Sequence, residues 1–267
     1  MKSKLIRMAL LWMSMIAGIL TGCSEEKSQQ PIIRFAVSPD YPPYAYLHQG
    51  KLTGIDVELG EKIAQEMGKE LCIVSGDFSD LIELIREGKA DMASCALAIT
   101  EERRKVADFS DPYEFAGLAF LVRSGEDIYY LTDMKEKYGF RIGAELGSTG
   151  YTLIERYLNE SGIPMKLYGY SGNREAVKAL LQKQNDAVIL DPLVAKCLQM
   201  EYPKELDILR DQLNHEEFAV AVSRREPELL AAANRVIHRL WKSGEIMELQ
   251  RKHMQQSLKP EVLERLP

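Results

Sequence analysis

Three short stretches place charged or donor groups where a loop meets a regular element. The first is Ile99-Thr100-Glu101-Glu102-Arg103. Thr100 is suited to cap a helix and the two acids to its first turn. Arg103, three residues on, would set its guanidinium fork beside free helix N–H groups, an arrangement that receives a carboxylate. The second is Gly147-Ser148-Thr149, an anion-receptive turn between an expected strand and an expected helix. The third is Asp191, which ends the apolar run Ala187 to Leu190 and so stands at the C-terminal edge of a sheet, the ligand side of open α/β folds. A cation site and an anion site a few ångströms apart, both shielded from water, are what a small zwitterion requires. Each stretch alone has a plainer reading: an arginine on a helix is commonly a solvated charge, and an aspartate before Pro192 is a helix cap.

The elements that must position these groups alternate between strand and helix. Ile32 to Val37 reads as a strand, and Ile55, Leu59, Ile63 and Met67 recur every four residues on one helix face that stops near Gly68. A strand from Leu71 to Ser75, a helix from Ser79 to Glu87 and a strand from Asp91 to Ala98 complete a βαβαβ series. A second series follows: strand Phe140 to Ala144, helix Tyr151 to Asn159, strand Lys166 to Gly169, helix Arg174 to Lys183, strand Ala187 to Leu190. Extended apolar runs at Ala116 to Val122 and Glu217 to Val222 suggest two crossings between two α/β lobes, leaving the first near Val122 and returning near Phe218. A terminal helix from Pro227 to Trp241 would then pack back on the first lobe.

The first residues carry Lys2, Lys4 and Arg7, then an apolar stretch from Met8 to Leu20, too short to span a bilayer comfortably, as in an export signal. It ends in Leu20-Thr21-Gly22-Cys23, which resembles a bacterial lipobox, so Cys23 is expected to be acylated, with a palmitate-type chain, and to become the first residue. An ordinary signal or a plain membrane anchor is the alternative. Ser24 to Gln30 reads as a tether. Removing residues 1–22 takes away three cations and no acid, so the formal charge goes from −6 to −9. That balance argues against a nucleic-acid partner. The remaining cysteines, Cys72, Cys95 and Cys197, lack metal-type spacing, so neither metal nor cofactor is expected. A Cys72–Cys95 bridge stays open beside the plainer reading of buried free thiols.

The order of elements and motifs resembles extracellular solute-binding protein family 3, the polar amino-acid binding lipoproteins of ABC importers, from about Ile32 to Met254. The similarity rests on Tyr41-Pro42-Pro43-Tyr44, Gly54-Ile55-Asp56-Val57-Glu58-Leu59, Phe78-Ser79-Asp80-Leu81-Ile82, Ile99-Thr100 with Arg103, Asp108-Phe109-Ser110-Asp111-Pro112-Tyr113, Gly147-Ser148-Thr149, and Asp186 with Asp191. It implies a two-lobed α/β fold of the type II periplasmic-binding-protein kind, with two hinge crossings and the ligand in the cleft between lobes. The implied division is leader 1–23, tether 24–30, first lobe 31–117, hinge and second lobe 118–216, and return with tail 217–267. The implied function is capture of a free α-amino acid outside the cytoplasmic membrane, by a monomer that delivers it to permease subunits. Arg103 would grip the α-carboxylate with Ser148 and the Thr149 N–H. Asp191 and the Ala96 carbonyl would take the α-ammonium, with Tyr41 and Phe78 as apolar walls. Ala98 departs from the family pattern, which commonly has Ser or Thr there; one lost hydroxyl costs on the order of 1 kcal/mol. Ser38 stands where relatives that bind cationic side chains can place an acid. The side chain of the ligand is therefore left open with a lean to polar, uncharged ones, which Asp40 and Asp77 nearby could reverse.

Two other classes compete. Dehydratases of the same fold eliminate water and carbon dioxide from a cyclic acid, which needs a further general acid beside the carboxylate grip, and Pro192, Leu193 and Val194 supply none. The four histidines, His48, His215, His238 and His253, lie in no nucleophile motif. A sensor built from the same lobes would signal through a separate partner, since no later apolar run is long enough to cross a membrane.

Overall fold

The sequence folds into two α/β sheets joined by a pair of antiparallel crossing strands. The computed structural model describes residues 31–135, 139–210 and 213–257. The leader, Cys23, the tether and the end of the tail lie outside them.

The first lobe begins with β1 (Ile32–Val37) and a three-stranded antiparallel sheet, β2 (Asp40–Tyr41), β3 (Ala45–His48) and β4 (Lys51–Thr53). Helix α1 (Ile55–Glu66) follows, then β5 (Glu70–Ser75), a 3-10 turn at Phe78–Asp80 running into α2 (Leu81–Arg86), β6 (Met92–Ala93), α3 (Glu101–Arg104) and β7 (Asp108–Phe109). The second lobe carries β8 (Glu114–Arg123), α4 (Leu131–Lys135), β9 (Arg141–Glu145), α5 (Thr149–Ser161), β10 (Lys166–Tyr170), α6 (Asn173–Leu181), β11 (Ala187–Leu190), α7 (Pro192–Glu201), β12 (Leu206–Ile208) and β13 (Leu213–Phe218). The chain then returns through β14 (Ala221–Val222) to α8 (Pro227–Ser243) and α9 (Glu245–Gln256). The first sheet has the order β5-β1-β6-β14-β7, and the second β10-β9-β11-β8-β12 with β13 also on β8.

The four-residue period of α1 does what it predicts: Ile55, Leu59 and Ile63 are buried, and Gly68, at φ 63°, ends the helix in the left-handed region. Gly54 before it is obligatory. Its φ is 140°, and a Cβ there would lie 2.0 Å from the Tyr44 carbonyl oxygen. Helix α8 packs on α1 and β14, as expected for a terminal helix returning to the first lobe. Its buried face holds Leu229, Val236, Ile237 and Leu240, each worth roughly 1.5–3 kcal/mol of burial.

Four expectations are corrected. The strand expected over Asp91 to Ala98 is regular only at Met92–Ala93, because Ala96 turns to φ 49° and gives its N–H to Asp56 Oδ2 at 2.7 Å rather than to a ladder. The run Glu217 to Val222 is divided between sheets: Glu216 to Phe218 pairs with Ala116 to Glu114, while Ala221–Val222 pairs with β6 and β7. Val122 is not at the crossing; it pairs with Ala187 and Asp207 inside the second sheet. Cys72, Cys95 and Cys197 are free, and Cys72 is exposed rather than buried.

Asp186 is structural. Its carboxylate accepts from the Arg141 backbone N–H (3.0 Å), Nε (2.9 Å) and Nη2 (2.8 Å) and from Arg123 Nη2 (3.1 Å). Burial alone would raise its pKa, but these bonds outweigh it and hold the carboxyl below its ordinary value.

Candidate functional site

The C-terminal ends of parallel neighbours β9 and β11 point into the cleft, delivering Glu145 and Asp191 from the second lobe. From the first lobe come Tyr41 on β2, Phe78 in the 3-10 turn, and the irregular segment after β6 with Ala96 and Ala98. Together with Arg103, Ser148 and Thr149 these residues line one narrow cavity, to which Leu118, Asn173, Ile189 and Leu190 also contribute. All eight expected ligand-binding residues, Tyr41, Phe78, Ala96, Ala98, Arg103, Ser148, Thr149 and Asp191, stand on that lining.

Local chemistry explains each placement. Thr100 caps α3 by accepting the Arg103 N–H at 3.2 Å, and Glu101 and Glu102 occupy the first turn. The Arg103 fork then spans the cleft, with Nη1 donating to the Ala98 carbonyl at 2.7 Å and Nη2 to the Gly147 carbonyl of the opposite lobe at 3.1 Å. Its Cζ lies 5.4 Å from the centre of the Phe78 ring, so the guanidinium is partly desolvated against an aromatic face. Burial draws its pKa down, while Glu216, Tyr41 and Asp191 act the other way. Gly147, at φ 78°, turns the chain into α5, where Ser148 caps the helix by accepting the Tyr151 N–H at 3.0 Å.

Asp191 precedes α7 but makes no side-chain capping bond. Its carboxylate instead accepts the Tyr41 hydroxyl proton from across the cleft. Only 4% exposed, Asp191 has its pKa pushed well above the carboxylate range by burial, with the Tyr41 bond and Arg103 opposing. Tyr41 in turn stacks on Phe78, ring centres 5.8 Å apart and 14° from parallel.

Two contributors escaped the sequence reading. Asp56, fully buried, holds the Ala96 N–H and so fixes the segment carrying Ala96 and Ala98; burial pushes its pKa to about 6 against that bond. Glu145, 2% exposed, accepts from Asn173 Nδ2 at 3.0 Å, and burial, reinforced by Asp191 and Asp40, pushes its pKa well up. The signal that marks Asp191, an acid directly after an apolar strand, was equally present at Glu145 after Ile142-Gly143-Ala144.

Comparison with known proteins agrees with this geometry. The chain is 27% identical to a probable histidine-binding protein of Campylobacter jejuni, over 76% of this chain and 77% of the relative. A solved amino-acid ABC transporter substrate-binding protein of Streptococcus pneumoniae, bound to L-arginine, superposes with a TM-score of 0.78 at 30% identity, over 85% of this chain and 96% of that one. An ancestral amino-acid-binding protein described as a precursor of cyclohexadienyl dehydratase gives a TM-score of 0.75 at 26% identity, covering 84% and 95%. The family model of bacterial extracellular solute-binding proteins, family 3, matches residues 33–256, and the chain, with its type II two-lobed fold, belongs to that family.

Proposed function

We propose that this protein captures a free α-amino acid and hands it to the permease subunits of an ABC importer. The observation that carries the reading is that one cavity brings the cationic side chain of Arg103, from the first lobe, together with the Ser148-capped turn and the buried acid Asp191, both from the second. In this reading Arg103 and the Thr149 N–H hold the α-carboxylate, while Asp191 and the Ala96 carbonyl take the α-ammonium. Tyr41 and Phe78 enclose the ligand. A ligand touching both lobes binds the closed state preferentially and draws the lobes together about the paired Glu114–Ala116 and Glu216–Phe218 strands.

A thermal-shift screen over the amino acids tests this directly. At least one is expected to raise the melting temperature by several degrees and, in solution scattering, to reduce the radius of gyration at saturation. A screen without any shift would defeat the binding role.

The protein is further proposed to be held outside the cytoplasmic membrane by acyl chains on Cys23, two of which suffice for lasting attachment at roughly 0.8 kcal/mol per buried CH₂. Labelled palmitate should enter the wild type and not Cys23→Ser; equal labelling would refute the anchor.

Elimination chemistry draws on one observation, the buried Glu145 carboxyl, which could serve as the further acid. The cavity sets that reading behind binding, because a cyclic acid lacking an ammonium would bring its charge against Asp191 and Glu145 with only Arg103 to receive it. Binding of such an acid more tightly than any amino acid would reverse the order.

A further inference from the structure

We infer that Glu145 receives a second positive charge on the ligand, so that the amino acid taken up carries a cationic side chain. The inference rests on the binding role proposed above and adds to it the side-chain class. Its starting point is a charge balance. Among the described residues lining the cavity, Arg103 is the one cation, facing the two buried acids Asp191 and Glu145. An ordinary zwitterion brings no net charge, so one of the two acids can ionise only without a cationic partner, which a protein interior penalises. A ligand with one further positive charge closes the balance.

The surroundings of Glu145 point the same way. One carboxylate oxygen, Oε2, is held by Asn173 Nδ2, a neutral donor that orients the group without neutralising it. The next residue, Arg174, is already engaged by Asp40 Oδ1 at 3.1 Å and Glu201 Oε2 at 2.9 Å. No ion pair to Glu145 occurs among the described residues. Glu216 acts on Arg103 from outside the lining, so it deepens the negative excess instead of relieving it.

Asp40 lies close to the same place. A Cβ at Gly172 would stand 3.9 Å from Glu145 Oε1 and 3.4 Å from Asp40 Oδ2, so both carboxylates face this one glycine. Tyr41, Phe78, Arg103, Asp191 and Glu145 share one lining, so the side chain of an amino acid held between Arg103 and Asp191 is directed within the same cavity as the Glu145 carboxylate. Ser38, whose lack of charge favours neutral ligands in the sequence, is thus replaced in its role by an acid from the opposite lobe.

The test is calorimetric titration of the purified protein with L-arginine, L-lysine, L-citrulline and L-glutamine. Citrulline keeps the shape of arginine and loses its charge. At least one of arginine and lysine should bind about thirtyfold or more tighter than both neutral ligands, the loss expected when one partner of a buried charge pair is removed. In Glu145→Gln, which preserves size and the Asn173 contact, the cation should lose about the same factor while the neutral ligands change by less than about threefold. A neutral ligand binding wild type as tightly as the better of the two cations would overturn the inference and leave the binding role standing. No binding by any amino acid would overturn both. The ranking in wild type stands on its own if the variant fails to fold.

Discussion

Replacing Asp191 by asparagine should weaken ligand binding while leaving the ligand-free protein as stable as wild type or more so. The carboxylate is 4% exposed, caps no helix by its side chain, and has Tyr41 as its donor, a bond the asparagine oxygen can still accept. What the substitution removes is the charge. For the α-ammonium of a bound amino acid, loss of its buried counter-charge costs about 2–5 kcal/mol, or roughly thirty- to several-thousand-fold in affinity. For the empty protein the sign reverses. The folded-state pKa of Asp191 lies above its unfolded value, so its contribution to stability is fully present below the unfolded pKa and is lost as pH rises through the folded one. Asparagine does not titrate and escapes that loss. Its charge also presses on Glu145, so removal relieves a second buried acid with the same sign. Near neutral pH the variant should melt at or above the wild-type temperature, each kcal/mol amounting to roughly 2–4 °C in a chain of this size. The advantage should shrink as pH is lowered toward 4. Calorimetric titration and scanning at two pH values read both effects. Affinity within about threefold of wild type, a difference below 1 kcal/mol, would refute the counter-charge role, and a large fall in ligand-free stability would refute the claim that the group is held there at a cost.

Arg103→Ala should reduce affinity by about thirtyfold or more, and an α-amide ligand, which lacks the carboxylate charge, should lose far less to this substitution than the free amino acid does; equal losses would place Arg103 away from the carboxylate. Asp186→Asn should destabilise the fold by about 3 kcal/mol in denaturant, since four donors from Arg141 and Arg123 lose a charged acceptor, with ligand affinity in the folded variant unchanged. Because the Asp186 pKa is depressed, its contribution is present above the unfolded pKa and lost as pH falls through the folded one, so the gap between wild type and variant should close only in acid; a gap that persists there would remove the ion pair as its cause.

Much of this protein was legible locally. The helix over Ile55–Glu66 follows from four-residue spacing, its end from Gly68, and the Thr100 cap from residue type and position, because each depends on groups within a few residues of one another. The same holds for Arg103 and Asp191 as candidates, each marked by its place at the end of an element. Tertiary structure decided whether those candidates meet. Asp191 had two local readings, cap or ligand site, and the capping one is set aside by Tyr41, 150 residues away in sequence, whose hydroxyl engages the carboxylate instead of its own helix. The break after Met92–Ala93 was likewise set by Asp56, a partner 40 residues earlier that competes with the ladder for the Ala96 N–H. Glu145 shows the limit most clearly. Its type and position were visible, but its significance is a charge imbalance inside a closed space, and the sum of charges around a cavity exists only once two distant segments have enclosed it.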